Sequence, residues 1–300
     1  MTRVVALAAM LFALVPQQKQ VFRSGAEGVR ADVLATDGRA PVAGLKAGDF
    51  VLLDNGVPQT IETVEFGDVP LSVILALDIS GSVEGTRLEH LKTAVTRALD
   101  TLTSRDTAAF LAFRHDMALS EFTTDRRGLV ALVQRAAGEG ATSLHDAAYG
   151  ALLRSDSRLG RPLVLLFSDG QDTASWLPAD AVYNAAHRSD AVVYAVSLRD
   201  KEPTGPFAID HAARLPLGLP LIGKNKPFLD FLAEETGGRV FLADKSEDIE
   251  SRFLEALKEF KSRYLITYTP QGVDTAGWHE LQVRVKRPGV KVAARRGYQR

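Results

Sequence analysis

The sequence predicts an α/β protein: a doubly wound, mainly parallel six-stranded sheet, with a small β-sandwich-like domain made from the two flanks. Three observations predict it. Between residues 70 and 260, short continuous apolar runs alternate with amphipathic helical patterns, the mark of a parallel sheet covered on both faces. Before and after that stretch the pattern has period two and is broken by Gly, Asn and Pro turns. The chain of 300 residues is 46% hydrophobic and 24% charged, enough apolar matter for a sizeable core.

The elements follow in order. Residues 1–19 carry Arg3, twelve apolar residues from Val4 to Val15, and Pro16-Gln17-Gln18-Lys19. That run fits the apolar core of a signal peptide and is too short to span a bilayer, so the expected mature protein is exported, periplasmic or secreted, with cleavage between Ala13 and Gln20. Residues 20–69 form an N-terminal β segment: Val29, Ala31, Val33 and Ala35 alternate with more polar neighbours, and Asp37-Gly38 and Asp54-Asn55-Gly56 are turns. Residues 70–262 form the α/β domain. Its strands are expected at Leu71–Leu77, Ala108–Phe113, Leu163–Phe167, Val192–Val196 and Val240–Leu242. Its first helix, from near Glu84, puts Leu88, Leu91, Val95, Leu99 and Leu102 on one face. Later helices are expected near Leu129–Ala137, Leu144–Arg154, Ala179–Arg188, Phe228–Thr236 and Asp248–Lys261. Residues 200–227, rich in Pro and Gly, read as a long loop. Residues 263–300 return to strands. Neither flank is large enough for a core of its own, so the two are expected to pair.

Composition removes several functions. A net charge of −1 gives no general attraction to nucleic acid or anionic lipid. With no cysteine there are no disulfides, thiolate metal sites or cysteine nucleophiles.

The chemistry gathers at strand ends. Asp78-Ile79-Ser80-Gly81-Ser82 follows the first apolar run, so one carboxylate and two hydroxyls sit where an open parallel sheet presents its ligand crevice. Alternation places positions 78, 80 and 82 on one side, and Gly81 lets the turn close. Thr142 follows a Gly-rich turn, and Asp169 ends the Leu163–Phe167 strand. All are hard oxygen donors, suited to Mg²⁺, Mn²⁺ or Ca²⁺ rather than zinc.

This ordered set resembles the von Willebrand factor type A (VWA) domain, whose Asp-x-Ser-x-Ser motif, later Thr and later Asp form a metal-ion-dependent adhesion site. The resemblance covers about residues 70–260. The flanks are similar to a bacterial, acidobacterial-type group of exported VWA-related proteins, through Val21-Phe22-Arg23-Ser24-Gly25, Asp49-Phe50, Asp54-Asn55-Gly56-Val57-Pro58, Thr236-Gly237-Gly238-Arg239-Val240-Phe241 and Arg295-Arg296-Gly297-Tyr298. The resemblance implies a divalent cation on Asp78, Ser80, Ser82, Thr142 and Asp169. Ser80, Ser82 and either Thr142 or Asp169 would bind directly, the rest through water, with an Asp or Glu of a protein partner as the last ligand. Glu84, Asp146 and Asp172 are candidates to orient hydroxyls and water.

Competing readings are a metal-free assembly scaffold and a hydrolase. A phosphoryl-accepting Asp78 would want a second carboxylate two residues on, where Ser80 stands, and a lysine nearer than Lys92. Ser80 and Ser82 do not sit in Gly-x-Ser-x-Gly, and His115, His145 and His187 form no His-x-x-x-His pair. The expectation is therefore a binding protein and not an enzyme.

Overall fold

A computed structural model of the chain describes residues 28–67, 69–155, 160–198 and 227–300. The expected signal peptide and, apart from Pro227, the Pro- and Gly-rich stretch lie outside the described residues.

The parallel domain comprises β6 (Leu71–Asp78), α1 (Thr86–Asp100), β7 (Thr107–Phe113), β8 (Met117–Leu119), α2 (Arg126–Gln134), α3 (Leu144–Arg154), β9 (Arg161–Phe167), α4 (Ala179–Arg188), β10 (Val192–Leu198), α5 (Phe228–Glu235), β11 (Val240–Ala243) and α6 (Ile249–Lys261). Its strands lie in the order β11-β10-β9-β6-β7-β8, all parallel except β8, which runs antiparallel to β7. Every residue of β6 is buried, and alternation divides its side chains between two cores. Leu71, Val73, Leu75 and Leu77 pack with α1, α2 and α6; Ile74 and Ala76 pack with α3, α4 and α5. The chain leaves β6 for β7 on one side and later returns to β9 on the other. The order of the strands thus reverses beside β6, and a crevice opens at the carboxyl ends of β6 and β9.

The flanking strands are β1 (Val29–Asp37), β2 (Ala40–Pro41), β3 (Phe50–Asp54), β4 (Val57–Pro58), β5 (Ile61–Phe66), β12 (Tyr264–Tyr268), β13 (Trp278–Val285), β14 (Val290–Ala293) and β15 (Gly297–Gln299). They build two antiparallel sheets, β14-β1-β12-β5 with β2 on β1, and β15-β13-β3-β4. Strands from the two ends of the chain alternate in the first sheet and meet at β13-β3 in the second: Ala31 pairs with Ile266, Leu34 with Ala293, and Leu52 with Val283. Val33, Leu52, Ile266 and Tyr298 meet in one core. Trp278 is outside it, 40% exposed and tilted against the His187 ring with centroids 4.3 Å apart.

Two fully buried arginines hold the sandwich to the parallel domain. Arg161, at the start of β9, donates from Nε to Asp32 Oδ1 at 2.9 Å and lies over the Phe260 ring. Arg263, between α6 and β12, donates to Tyr194 Oη at 3.0 Å and to the Asp32 carbonyl at 2.9 Å. Two arginines near the C-terminus add further clasps, the buried Arg295 to Asp190 and the exposed Arg296 to Glu234 and Glu235.

Candidate functional site

Asp78 ends β6 with its side chain wholly buried. Its Oδ1 accepts from the Ser80 amide at 3.0 Å, and its Oδ2 accepts from Ser168 Oγ at 2.8 Å. Burial pushes its carboxyl above the ordinary range; the Ser80 and Ser168 hydrogen bonds pull the other way, and the charge of Asp169 adds to the rise. Among the described residues, no basic side chain forms an ion pair with Asp78 that would answer the buried charge. Lys92 is held on α1 by Glu89 at 3.1 Å.

Ser80 is buried and Ser82 exposed, and their hydroxyls lie 3.2 Å apart. A single 3₁₀ turn, Gly81–Val83, brings the two together. The chain then reverses at Gly85, with φ at +63°, before α1 begins at Thr86. The helix therefore starts later than Glu84: glycine alone tolerates that backbone cheaply, and it separates the motif from the helix end.

The second loop lies on the first. Gly81 N donates to the Gly140 carbonyl at 2.9 Å, and Glu139 N to the Ile79 carbonyl at 3.0 Å. Gly140 has φ at +78°, and a Cβ there would sit 2.7 Å from His115 Nδ1. At Gly138 a Cβ would come within 3.1 Å of Glu84 Cγ. Glu84 is thus a neighbour of this loop's backbone. Arg114 pairs with both Asp116 and Glu139, fixing the loop's outer side.

Thr142 is buried at the join of the second and third loops. Its amide donates to Thr173 Oγ1 at 2.9 Å, and its carbonyl accepts from the amides of Thr173 and Ala174, each at 2.9 Å. Asp169 is half-buried in the third loop, accepts from the Gln171 amide at 3.0 Å, and is close enough for its charge to act on Asp78.

Asp146 and Asp172 have a different part from the one their sequence positions suggest. Asp172 Oδ1 accepts from the Leu144 amide at 2.8 Å and from Ser175 Oγ at 2.5 Å, capping α3 from a distant loop. Asp146 accepts from the amides of Trp176 at 3.0 Å and Leu177 at 2.9 Å. Each carboxylate fastens the other's segment, so both brace the loops. His145 is packed, with Nδ1 3.1 Å from the Leu177 carbonyl and its ring 4.4 Å from Phe228.

Ser168 is the residue that sequence reasoning missed. The signal was its place just before Asp169: β6 and β9 pair Leu77 with Phe167, so one residue further on Ser168 falls opposite Asp78.

No family model matches the sequence, and no curated protein does. Among solved structures, the von Willebrand factor type A structure from Catenulispora acidiphila aligns with a TM-score of 0.50 at 15% identity, over 91% of this chain and 72% of that one. The chain has the von Willebrand factor type A fold. An aerotolerance-related membrane protein from Bacteroides fragilis aligns at 0.47 and 18% identity, over 63% of this chain and 99% of that one. Proximal thread matrix protein 1 from the mussel byssus, with a zinc-occupied MIDAS motif, aligns at 0.48 and 12% identity, over 65% and 49%. In this chain's VWA fold the crevice beside β6 is the place where Asp78, Ser80, Ser82 and Asp169 gather. No helix of the described residues is long and apolar enough to cross a membrane.

Proposed function

We propose that Asp78, Ser80, Ser82, Thr142 and Asp169 hold a divalent cation, Mg²⁺ before Mn²⁺ or Ca²⁺, and that the chain is an exported, metal-dependent protein-binding module. The observation that carries this reading is the buried Asp78 carboxylate, which has hydroxyl and amide neighbours but, among the described residues, no arginine, lysine or histidine paired with it. The donor set fits the ion: all ligands are hard oxygens, and three are neutral hydroxyls. A cation held this way stays electrophilic and accepts an Asp or Glu from a partner as its remaining ligand. Ser168 then orients Asp78, while Asp146 and Asp172 hold the loops in register. We read the two β flanks as one unit that carries the binding domain.

Calorimetric titration of Mg²⁺ and Mn²⁺ into wild type and Ser80→Ala tests the site, with saturable binding expected for wild type and a large loss for the variant. Affinity capture from the native envelope or medium, with and without chelator, tests the partner; capture indifferent to chelator contradicts the metal-dependent part. The second reading, a metal-free scaffold, draws on the two hydrogen bonds that Asp78 already accepts.

A further inference from the structure

We propose that Trp176 anchors a docking surface beside the cation site, and that the occupant is a protein segment with one Asp or Glu next to a bulky apolar residue. This rests on the metal-dependent reading above and specifies its partner.

Trp176 is 93% exposed, far more than any other large hydrophobic residue described. Scattered exposed apolar residues are ordinary, so exposure alone decides nothing. What sets Trp176 apart is its mounting. Its own amide and that of Leu177 are held by Asp146. Ser175, just before it, bonds through Oγ to Asp172 and accepts from the amides of His145 at 3.0 Å and Asp146 at 3.2 Å. Earlier in the same loop, Thr173 and Ala174 grip the backbone of Thr142. Two carboxylates and a serine thus fix a surface loop whose most prominent side chain contacts almost nothing. An indole on a fixed backbone has only two side-chain torsions to restrict on binding and offers a large apolar face, the usual character of an interface hot spot.

Charge narrows the partner. The segment Thr173-Ala174-Ser175-Trp176-Leu177-Pro178 is uncharged, which suits an apolar neighbour of the metal-bound carboxylate. Around the first two loops Arg114 pairs with Asp116 and Glu139, Arg87 donates to the Ser82 carbonyl and Glu84 lies beside Gly138, three acids to two arginines, which disfavours a second carboxylate on the partner. One acid flanked on the Trp176 side by an apolar residue satisfies both halves of the rim.

A displayed library of random peptides, panned on the full chain in Mg²⁺ and in chelator, is the probe. The expected chelator-sensitive binders pair a single Asp or Glu with a neighbouring Trp, Phe, Tyr, Leu or Pro. Trp176→Ala should weaken them by about tenfold or more, and Trp176→Phe should restore much of the loss. The Mg²⁺-induced rise in melting temperature, read in parallel, separates loss of docking from loss of the cation site. Chelator-sensitive peptides without an apolar neighbour, bound equally by Trp176→Ala, overturn this inference and leave the cation site standing. Binders indifferent to chelator, together with no thermal response to Mg²⁺, overturn the metal-dependent reading and this inference with it. A Trp176-dependent response to neutral oligosaccharides in place of peptides makes the occupant a carbohydrate and also overturns it.

Discussion

Two buried aspartates in this chain meet opposite fates. Asp32, at the junction of sandwich and parallel domain, receives the guanidinium of the fully buried Arg161. Asp78, at the crevice, receives no basic group among the described residues, but the Ser80 amide and hydroxyl and the Ser168 hydroxyl. Both side chains are removed from water, where an ionised carboxylate is costly unless it is paired. At the junction the chain supplies its own counter-charge, and the result is a fixed joint. At the crevice the described residues supply dipoles, and in the proposed reading an ion from outside supplies the counter-charge. The difference sets a structural use of a buried carboxylate against the proposed binding one, and each variant below is a way to break or sharpen it.

The largest expected effect is at the junction. Arg161→Met leaves Asp32 buried and unanswered, and should cost about 3–5 kcal/mol in denaturant unfolding. Asp78→Asn removes a charge the chain does not itself balance; in chelator it should change stability by no more than about 1 kcal/mol in either direction. If the two substitutions cost the same in chelator, the contrast is wrong. Gly140→Ala comes next. Its positive φ and the approach to His115 should cost roughly 1–2 kcal/mol and weaken Mg²⁺ binding, because the second loop is tied to Gly81 through Gly140. Ser168→Ala has the smallest effect on the ion: loss of one hydrogen bond to Asp78 should cost about 1 kcal/mol of stability and lower Mg²⁺ affinity only modestly.

The same contrast explains what could be read in the chain beforehand. Leu71–Leu77 and Leu163–Phe167 are continuous apolar runs, and a strand covered on both faces has no other composition, so the parallel sheet was legible. Strand β8 was not, since its three residues are all exposed and too few to show a period. The start of α1 was placed too early, because the break at Gly85 is a backbone dihedral with no apolar signature. The residue types of the site were visible through Asp78-Ile79-Ser80-Gly81-Ser82. Long-range partners were not. Asp146 and Asp172 look the same in sequence whether they turn toward an ion or cap a neighbouring loop, and only the fold decides. Nothing around Arg161-Pro162 in the sequence signals burial of the arginine; its partner Asp32 is 129 positions away.

The most direct test of the central claim is the melting temperature of the wild-type chain and of Asp78→Asn, each in chelator and in excess Mg²⁺. A ligand present at a hundred times its dissociation constant stabilises the folded state by about 2.7 kcal/mol, enough for a rise of several degrees. The account calls for that rise in the wild type and for its absence in Asp78→Asn. An equal response in both proteins, or none in the wild type, contradicts it.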